Sequence, residues 1–560
     1  MSRRCHPLTV RISIVLADCT YLNPPSGENL HGAFLGTTRF LRWAANAPEI
    51  EALEVFLPPD VMSEHEIIQN SALHLLNPES RGKGKLSFYP YHSIADVWAD
   101  GIPRILRSLD PMYMARDRYI RDAFAQGPIA HSVDTHVITT QNIWQSLKSV
   151  LGASPVPYDS IQCISQSMKE FLLRVFNELG CSEPPFRLDI IQRPIDVSRF
   201  RPPTDQERRD SRNRMDIPQN ANVAIYHSRV GPHSKADIIP FIQAFAACSG
   251  PNDWLVIGGP QSTETAYDKI AEWLRDAKID DRCRLLGPCP PEEVPKRLWA
   301  ADFFVLPCDN PTEGLGIAPI EAFACGLPSL VSDWDGMREA VREGVNGMFI
   351  PTHWFPGSSR IGAFTPITGF SIESMLLAQC IVLDQAVLIE KLGLLLHDAD
   401  LRKRLSLGAL ETSKAFTTTY INSRILETLR AQVAEAKLET DSGRDIRRQQ
   451  ASNLMMPTDF ERLLPPLGSR TVQDSDMIEL TETGNLLLSG KIEMAVYEEV
   501  SMLARPQDIL EILSIVRTGP KSIGKIIEAL GPRKFTDGYY VLAFLTKRNI
   551  VRLTEKLRNG

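Results

Sequence analysis

Two glutamates and several glycines lie close together in the middle of the chain. The segment reads Glu313-Gly-Leu-Gly-Ile-Ala-Pro-Ile-Glu321 and is soon followed by Gly326-Leu-Pro328. Glycines let a backbone approach a ligand closely, and the free amides at the start of a helix bind anions. Two carboxylates beside a phosphate cradle are suited to accepting hydrogen bonds from hydroxyl groups, such as those of a sugar and a ribose. The segment is therefore predicted to bind a ligand that carries both phosphate and hydroxyl groups.

A strand and a helix are expected to position this segment. The apolar run Phe303-Phe-Val-Leu-Pro307 precedes it and has the pattern of a buried strand. Pro319 fits a helix only in the first turn, so the helix should begin near Ile317. This order places the positive end of the helix dipole at the loop. An ordinary strand, loop and helix with two surface glutamates is the alternative interpretation.

Composition indicates a globular protein of several domains. The chain has 560 residues, of which 43% are hydrophobic and 23% charged. The formal net charge of −7 makes a general nucleic-acid binder unlikely. No apolar run approaches the roughly 18 residues of a membrane span, so at most peripheral membrane contact is expected. The short run Ile12–Leu16, preceded by Arg11, predicts a buried strand rather than a signal peptide.

The cysteines predict a reducing compartment. The chain has 10 cysteines, which are scattered and form no Cys-x-x-Cys motif. This pattern indicates buried, reduced thiols and a cytoplasmic location.

The central segment closely resembles the family-4 retaining glycosyltransferases of the GT-B fold. The resemblance rests on two glutamates eight positions apart with glycines between them, the preceding strand, and the following Gly-Leu-Pro. It runs almost unbroken from Ile217 to Ile350 and covers about residues 8–435. It implies an α/β protein with two Rossmann-like, doubly wound parallel-sheet domains. Strands that alternate with helices at this spacing also favour such sheets.

The second domain also has two cations at the family's spacing. Arg229 follows the strand-like run Val223-Ala-Ile-Tyr-His-Ser, and Lys235 follows six residues later. Ser228 and Ala236 stand where the family has glycines. By the resemblance, Arg229 and Lys235 would bind the donor diphosphate.

The resemblance also assigns roles within the central segment. Glu313 would bind hydroxyls of the donor sugar and Glu321 the ribose. The backbone of four residues would hold phosphate or sugar oxygens: Gly314, Leu315, Gly316 and Ile317.

The chemistry implied is metal-independent transfer with retention of anomeric configuration. Stabilising charge on the departing diphosphate is the largest catalytic effect available. Arginine can contact phosphate with two donors and lysine acts as a point charge, so no metal or other cofactor is expected. Asp333-Trp-Asp335 looks like the Asp-x-Asp metal site of the other major glycosyltransferase fold. We interpret that likeness as a coincidence, because the motif follows a late strand of a GT-B-like domain.

The first domain offers fewer candidates. Gly32 and Gly36 loosely fit the glycine-rich loop at which acceptor and donor phosphates meet in the family. Plain helix-start glycines are an equal alternative. The strand-like run from Pro128 ends near His131, Asp134 and His136, any of which could be the family's residue beside the sugar; His136 is taken as the catalytic candidate.

The predicted organisation has four parts. They are a first domain at 1–195, a second domain at 196–437, a linker at 438–470 and a winged-helix-like accessory domain at 471–560. Within the second domain, residues 352–378 are predicted to be an insertion loop and residues 418–437 a helix that crosses back onto the first domain.

The accessory domain is not part of the family. Residues 477–488 suggest short strands around Thr483-Gly-Asn485, and three helices precede the strand Ile550–Leu553. Six basic residues raise the question of nucleic acid: Lys521, Lys525, Arg533, Lys534, Lys547 and Arg548. Acidic residues dilute them, so a protein or peptide partner is favoured and nucleic acid is not.

The leading hypothesis is a retaining glycosyltransferase that uses a nucleotide-sugar donor and an unidentified glycan, lipid-linked or protein acceptor. The alternative is a catalytically degenerate GT-B scaffold whose C-terminal module binds a partner. A regulator acting through the C-terminal module, and a GT-B epimerase or phosphorylase, are further alternatives.

Overall fold

Short apolar runs alternate with helices along most of the chain and build two parallel sheets. The structure is a computed structural model. It describes residues 9–17, 20–22, 32–136, 141–153, 156–231, 235–261, 263, 265–311, 313–365, 367–368, 370–455, 471–494, 500, 504–531 and 538–554. Two compact units are distinguished by their internal contacts, and both sheets belong mainly to the first, which spans residues 1–55, 70–87 and 95–455.

The first sheet has seven strands in the order β3-β2-β1-β4-β5-β6-β7. The strands are β1 (Val10–Val15), β2 (Ile50–Leu57), β3 (Leu86–Pro90), β4 (Arg104–Ser108), β5 (Ile129–Asp134), β6 (Ser160–Cys163) and β7 (Arg187–Ile190). The pairs from β1 through β4 to β7 are parallel, as crossover helices require. The reversal of strand order at β1 and β4 creates a crevice at their carboxyl ends.

The second sheet has six strands in the order β10-β9-β8-β11-β12-β13. The strands are β8 (Asn222–His227), β9 (Asp253–Gly258), β10 (Cys283–Leu286), β11 (Phe303–Leu306), β12 (Ser329–Ser332) and β13 (Gly347–Ile350). All its pairs are parallel. Its β11 is wholly apolar and buried, and the central residues of β8 and most of β9 are buried as well, which is expected of strands covered on both faces. Together with the similarity to known folds described below, the two sheets confirm the predicted α/β architecture.

Helices connect the strands of both sheets. Those of the first domain are Gly32–Asn46, Pro59–Ser63, His65–Leu75, Ile94–Val97, Met114–Phe124, Gln141–Leu151 and Gln166–Glu178. Those up to β13 of the second domain are Asp205–Arg214, Ile239–Cys248, Ala266–Asp276, Val294–Leu298, Ile317–Ala324 and Met337–Ala340. Those that follow are Ser359–Phe364, Phe370–Ala378, Gln385–His397, Ala399–Ser413, Thr418–Ala436 and Asp441–Gln450.

The helix Thr418–Ala436 lies against the first sheet. The buried Gln432 side chain donates hydrogen bonds to the carbonyls of His131 at 3.1 Å and Tyr158 at 3.0 Å. A long segment of chain therefore returns to complete the first domain after the second has been made.

The predicted linker at 438–470 is wrong in its first part. Residues Asp441–Gln450 form a helix that packs on the first domain. Buried Arg447 of this helix pairs with Asp122 and with Glu439. The many charges that suggested a linker are used in ion pairs instead. Residues 456–470 lie outside the described part of the chain.

The predicted insertion loop at 352–378 contains regular structure. Strands β14 (Thr352–Trp354) and β15 (Ile381–Leu383) pair antiparallel around it. The helices Ser359–Phe364 and Phe370–Ala378 lie between them. The segment is therefore a small substructure inserted after β13 rather than a plain loop.

The second unit contains residues 56–69, 88–94 and 456–560. Its three-stranded antiparallel sheet has the order β17 (Lys521–Ser522), β16 (Met477–Leu480), β18 (Val551–Thr554). The helices after residue 470 are Glu482–Leu488, Pro506–Val516, Ile523–Leu530 and Gly538–Lys547. Of the short strands suggested within residues 477–488, the first is present as β16, but the part from Thr483-Gly-Asn485 onward is wrong. Thr481 caps a helix there by accepting a hydrogen bond from the Gly484 amide. Two of the basic residues, Arg533 and Lys534, lie outside the described residues.

Two further structural features concern the thiols and the helices of the described residues. All eight cysteines in the described part are free, and five of them are buried. Among the described helices, none has the length and apolar character needed to cross a bilayer.

Candidate functional site

The central segment has the local structure that was predicted for it. The loop after β11 leads into the helix Ile317–Ala324, which begins at Ile317 as expected. Gly316 has φ of +73°, a left-handed conformation that favours glycine. A side chain on Gly314 would overlap Ile164 of the first domain, so this glycine is needed for a close approach.

Three charged side chains meet at this loop. Lys235 forms a short ion pair with Oε2 of Glu313, and Oε1 of Glu313 accepts a hydrogen bond from the Gly316 amide at 3.1 Å. Burial alone would raise the pKa of the Glu313 carboxyl, but Lys235, the Gly316 amide and Arg229 hold that pKa below its ordinary value. Glu313 is thus an oriented, ionised carboxylate beside two cations.

Buried residues at the strand ends hold the two cations in place. Tyr226, at the end of β8, donates a hydrogen bond from its hydroxyl to the Arg229 carbonyl at 2.6 Å. The thiol of Cys308 donates to the Lys235 carbonyl at 3.1 Å. The carboxylate of Asp309 accepts from the Asp237 amide at 3.1 Å. Sequence reasoning missed these supports, although a tyrosine within the apolar run Val223–Tyr226 is an unusual residue that could have drawn attention.

Glu321 lies one turn into the helix, away from the Lys235 pair. Its side chain is half-buried and faces Arg39 of the first domain and Arg199. Burial raises the pKa of the Glu321 carboxyl to about 7, against the opposing effect of the two arginines. A carboxyl poised between charge states can accept or donate a hydrogen bond to a hydroxyl group.

This raised pKa predicts a stability change with pH. Between the ordinary pKa of 4.5 and the folded-state value of about 7, folded Glu321 keeps a proton that the unfolded chain has lost. The free energy of unfolding should therefore fall as pH rises through this window. We expect the melting temperature of Glu321→Gln, measured by calorimetry, to rise relative to that of the parent protein as the pH is raised from 5 to 8. Exposed Glu272→Gln is the control, and a pH-independent difference for Glu321→Gln would contradict the assignment.

The three candidates in and just after β5 occupy different environments. His131 is fully buried with Nε2 2.7 Å from the Ser108 hydroxyl, and Asp134 is buried between Arg107 and Arg193 at 3.0 Å from each. His136 is half-buried, so it is the one of the three that a ligand can reach.

His136 is held by two neighbours. Arg193 donates a hydrogen bond to its Nδ1 at 3.1 Å, and Nε2 lies 3.5 Å from the Thr37 hydroxyl. Burial and the charge of Arg193 lower the pKa of His136 to about 3. The imidazole is therefore neutral at pH 7, with Nε2 as its proton-bearing nitrogen.

The two glycines of the first domain lie on one helix. Gly32 is the first residue of the helix Gly32–Asn46, and Gly36 lies one turn further along. A Cβ on Gly36 would meet only Arg193, at an ordinary 3.8 Å. Arg193 lies beside both Gly36 and His136, so these two residues are near each other. The backbone at Gly36 does not require a glycine. The predicted loop that precedes Gly32 lies outside the described residues.

Sequence reasoning also missed the contribution of Trp334 and Asp335. The Trp334 indole donates to the Asn310 carbonyl at 3.2 Å, and the Glu313 amide donates to the same carbonyl at 3.5 Å. Burial and the nearby Glu313 carboxylate raise the pKa of Asp335 to about 8. Trp334 therefore supports the turn that presents Glu313, and Asp335 is a protonatable group beside it.

The Asp-x-Asp pair does not act as a unit. Asp333 accepts a hydrogen bond from Arg338 at 2.6 Å, whereas Asp335 is electrostatically coupled to Glu313. Within the described residues, no three His, Cys, Asp or Glu side chains form a group able to hold a metal ion.

The second domain contacts the first beside this loop. Glu339 accepts hydrogen bonds from the amides of Gln166 at 2.9 Å and Ser167 at 3.4 Å, at the start of the helix Gln166–Glu178. A carboxylate there complements the helix dipole. Together with the contact of Gly314 and Ile164, this places residues of both domains around the candidate site.

Comparisons with known proteins agree with the fold. Residues 207–354 match the sequence family described as Glycosyl transferases group 1. A D-inositol 3-phosphate glycosyltransferase of Streptosporangium roseum is 29% identical over 175 residues, which are 30% of this chain and 39% of the relative. The Corynebacterium efficiens protein of the same name is 26% identical over 266 residues, 44% of this chain and 53% of the relative.

A solved structure shows the same fold. The crystal structure of Anabaena HepE in complex with UDP superposes with a TM-score of 0.50 at 16% identity, and covers 76% of this chain and 100% of HepE. These findings confirm the resemblance to family-4-like glycosyltransferases of the GT-B fold. The match spans only 39% of the length of the first relative named above.

Proposed function

We propose that the protein transfers a sugar from a nucleotide-sugar donor to an acceptor hydroxyl, with retention of anomeric configuration and without a metal ion. The observation that carries this proposal is the cluster of Lys235, Arg229 and Glu313 at the start of the helix Ile317–Ala324. Two cations and the helix amides at one point are suited to a diphosphate, and the carboxylates are suited to hydroxyls.

In the proposed reaction, the bond between the anomeric carbon and the diphosphate oxygen breaks, and the acceptor oxygen bonds to that carbon. Negative charge grows on the departing diphosphate, where Lys235, Arg229 and the amides from Gly316 onward would stabilise it. The proton of the acceptor hydroxyl passes to the departing diphosphate oxygen in the same step, so the products are the glycosylated acceptor and the free nucleoside diphosphate.

Glu313 is poorly placed to act as a covalent nucleophile. One of its oxygens pairs with Lys235 and the other accepts from the Gly316 amide. These contacts orient the carboxylate toward binding, so we assign it to the hydroxyls of the donor sugar. His136, neutral at pH 7, is assigned to the sugar from the first-domain side, next to the Gly32–Asn46 helix.

The sequence favours a glycan, lipid-linked or protein acceptor, and the relatives add a small phosphorylated cyclitol as a further class. The relatives named above act, by their names, on D-inositol 3-phosphate, which makes that compound a reasonable first acceptor to test. Their match covers less than half of this chain, so it supports testing this compound but does not assign it as the acceptor.

Donor binding can be tested by thermal shift. The panel contains nucleoside diphosphates and nucleotide-sugars, beginning with UDP because the HepE complex contains it. A ligand at 100 times its Kd stabilises the folded state by about 2.7 kcal/mol. Nucleotides that carry one particular base should therefore raise the melting temperature, and should still do so when a metal chelator is present. Lys235→Met should abolish the shift.

The control is Lys391→Met. Lys391 has the same exposure as Lys235, 19% against 21%, and pairs with Glu343, but it lies on a helix outside the site. Its variant should keep the full shift. No shift with any nucleotide would contradict the donor proposal and favour the degenerate scaffold.

A further inference from the structure

The segment inserted between β13 and the helix Gln385–His397 exposes an unusual amount of apolar surface. Six side chains of this insertion, between 41% and 82% exposed, define what we term the apolar surface: Trp354, Phe355, Phe364, Ile367, Ile372 and Leu376. Isolated exposed apolar residues are ordinary, but a concentration of them marks an interaction site.

The helix Phe370–Ala378 buries two polar side chains and exposes two large apolar ones. Glu373 and Ser374 are buried, and Glu373 forms a hydrogen bond with Thr365. Ile372 and Leu376, four residues apart and so on one face, point outward. A helix in water normally turns its apolar face inward. The arrangement seen here is expected where the outer face meets an apolar medium.

The insertion also has very little charge. Between residues 352 and 383 the charged side chains are Arg360 and Glu373, and Glu373 is buried. Electrostatic attraction to an acidic or basic partner is therefore weak. Tryptophan is enriched at the boundary between lipid headgroups and acyl chains, and tryptophan, phenylalanine and leucine form the inserted face of interfacial helices.

The apolar surface continues to the candidate site. The ring of Trp354 stacks on Trp334, with centroids 6.4 Å apart and planes 16° apart. Trp334 in turn donates to the Asn310 carbonyl at the turn that presents Glu313. A body bound at the apolar surface would thus lie beside the opening of the site.

We propose that the apolar surface binds a lipid bilayer, as a peripheral contact that inserts these side chains into the headgroup boundary. A second copy of this chain is the competing occupant. A standard protein interface takes roughly 20–30 residues a side, many more than the six of this surface, whereas binding to a bilayer scales with whatever apolar area is inserted. This inference stands on the surface itself and does not depend on the proposed function.

The experiment is co-sedimentation of the full chain with neutral phosphatidylcholine vesicles. The test variant combines Phe364→Ser, Ile367→Ser and Ile372→Ser, which are 58%, 82% and 52% exposed. The control combines Leu73→Ser, Leu407→Ser and Leu438→Ser, which are 53%, 66% and 81% exposed.

We expect the test variant to lose at least about tenfold in partitioning, because three apolar anchors are removed, while the control retains parental binding. Raising the salt concentration should have little effect, since charge contributes little. Melting temperatures of both variants verify that they remain folded.

Three outcomes would overturn the proposal. The first is that the parent does not sediment with neutral vesicles, and the second is that the control loses binding as much as the test variant. The third is a dimer in light scattering that the test variant dissociates while vesicle binding stays unchanged, which would make the surface a self-interface.

Discussion

Lys235→Met is expected to reduce nucleotide-sugar turnover by about 100-fold or more, because it removes a cation aimed at the departing diphosphate. Methionine retains most of the length of lysine, so packing around the stem is preserved. The loss also leaves Glu313 buried without its closest partner, beside Arg229 and the Gly316 amide. A fall in stability can accompany this change, so the melting temperature must be measured together with turnover.

A double variant separates the two effects. Lys235→Met with Glu313→Gln removes both charges of the buried pair and should recover stability relative to the single variant, because no uncompensated charge remains. Turnover should stay low in both. Lys391→Met, the matched lysine on the helix Gln385–His397, should have parental turnover. Near-parental turnover in the folded Lys235→Met protein would refute the phosphate assignment.

Gly336→Ala adds a single methyl group, and we expect it to be the most damaging change of this size in the site. A Cβ there would overlap the carbonyl oxygen of Gly314 and come within 2.5 Å of the Leu315 Cα, both parts of a backbone that cannot rotate away. Gly336 has φ of −66°, so alanine meets no conformational strain of its own. The expected result is a loss of about 1–3 kcal/mol in the free energy of unfolding, with a large fall in turnover as the Glu313 loop is displaced.

The control for this steric effect is Gly362→Ala. A Cβ on Gly362, in the helix Ser359–Phe364, meets nothing within 4 Å. Alanine favours helix there, so its variant should be as stable as the parent or slightly more so. If Gly336→Ala left the melting temperature and the turnover unchanged, the backbone at Gly336 would have to lie further from Gly314 and Leu315 than it does in the structure.

The local parts of the site could be predicted because each depends on neighbouring residues. The strand Phe303–Leu306, the glycine turn and the helix that begins at Ile317 follow one another within 20 residues. Pro319 and Gly316 each restrict the backbone in a way that sequence alone reveals. The same reasoning identified the strand before Arg229.

The remaining contacts join residues that are far apart in sequence. Glu339 binds the amide of Gln166, 173 positions away, and Arg447 pairs with Asp122, 325 positions away. No local pattern distinguishes such a carboxylate or guanidinium from a solvated surface charge. For this reason the sequence predicts a linker where the helix with Arg447 lies, and it does not indicate that Asp335 is coupled to Glu313.

The returning helix Thr418–Ala436 affects how the protein is synthesised. Gln432 satisfies the carbonyls of His131 and Tyr158, and it is made 301 residues after His131. At a translation rate of about 5–20 residues per second, the ribosome needs roughly 15–60 seconds to supply it. Throughout that time the nascent first domain has two buried carbonyls without their partner and Asp122 without Arg447. The first domain therefore cannot reach its final state during its own synthesis, and must wait for the second domain to be translated.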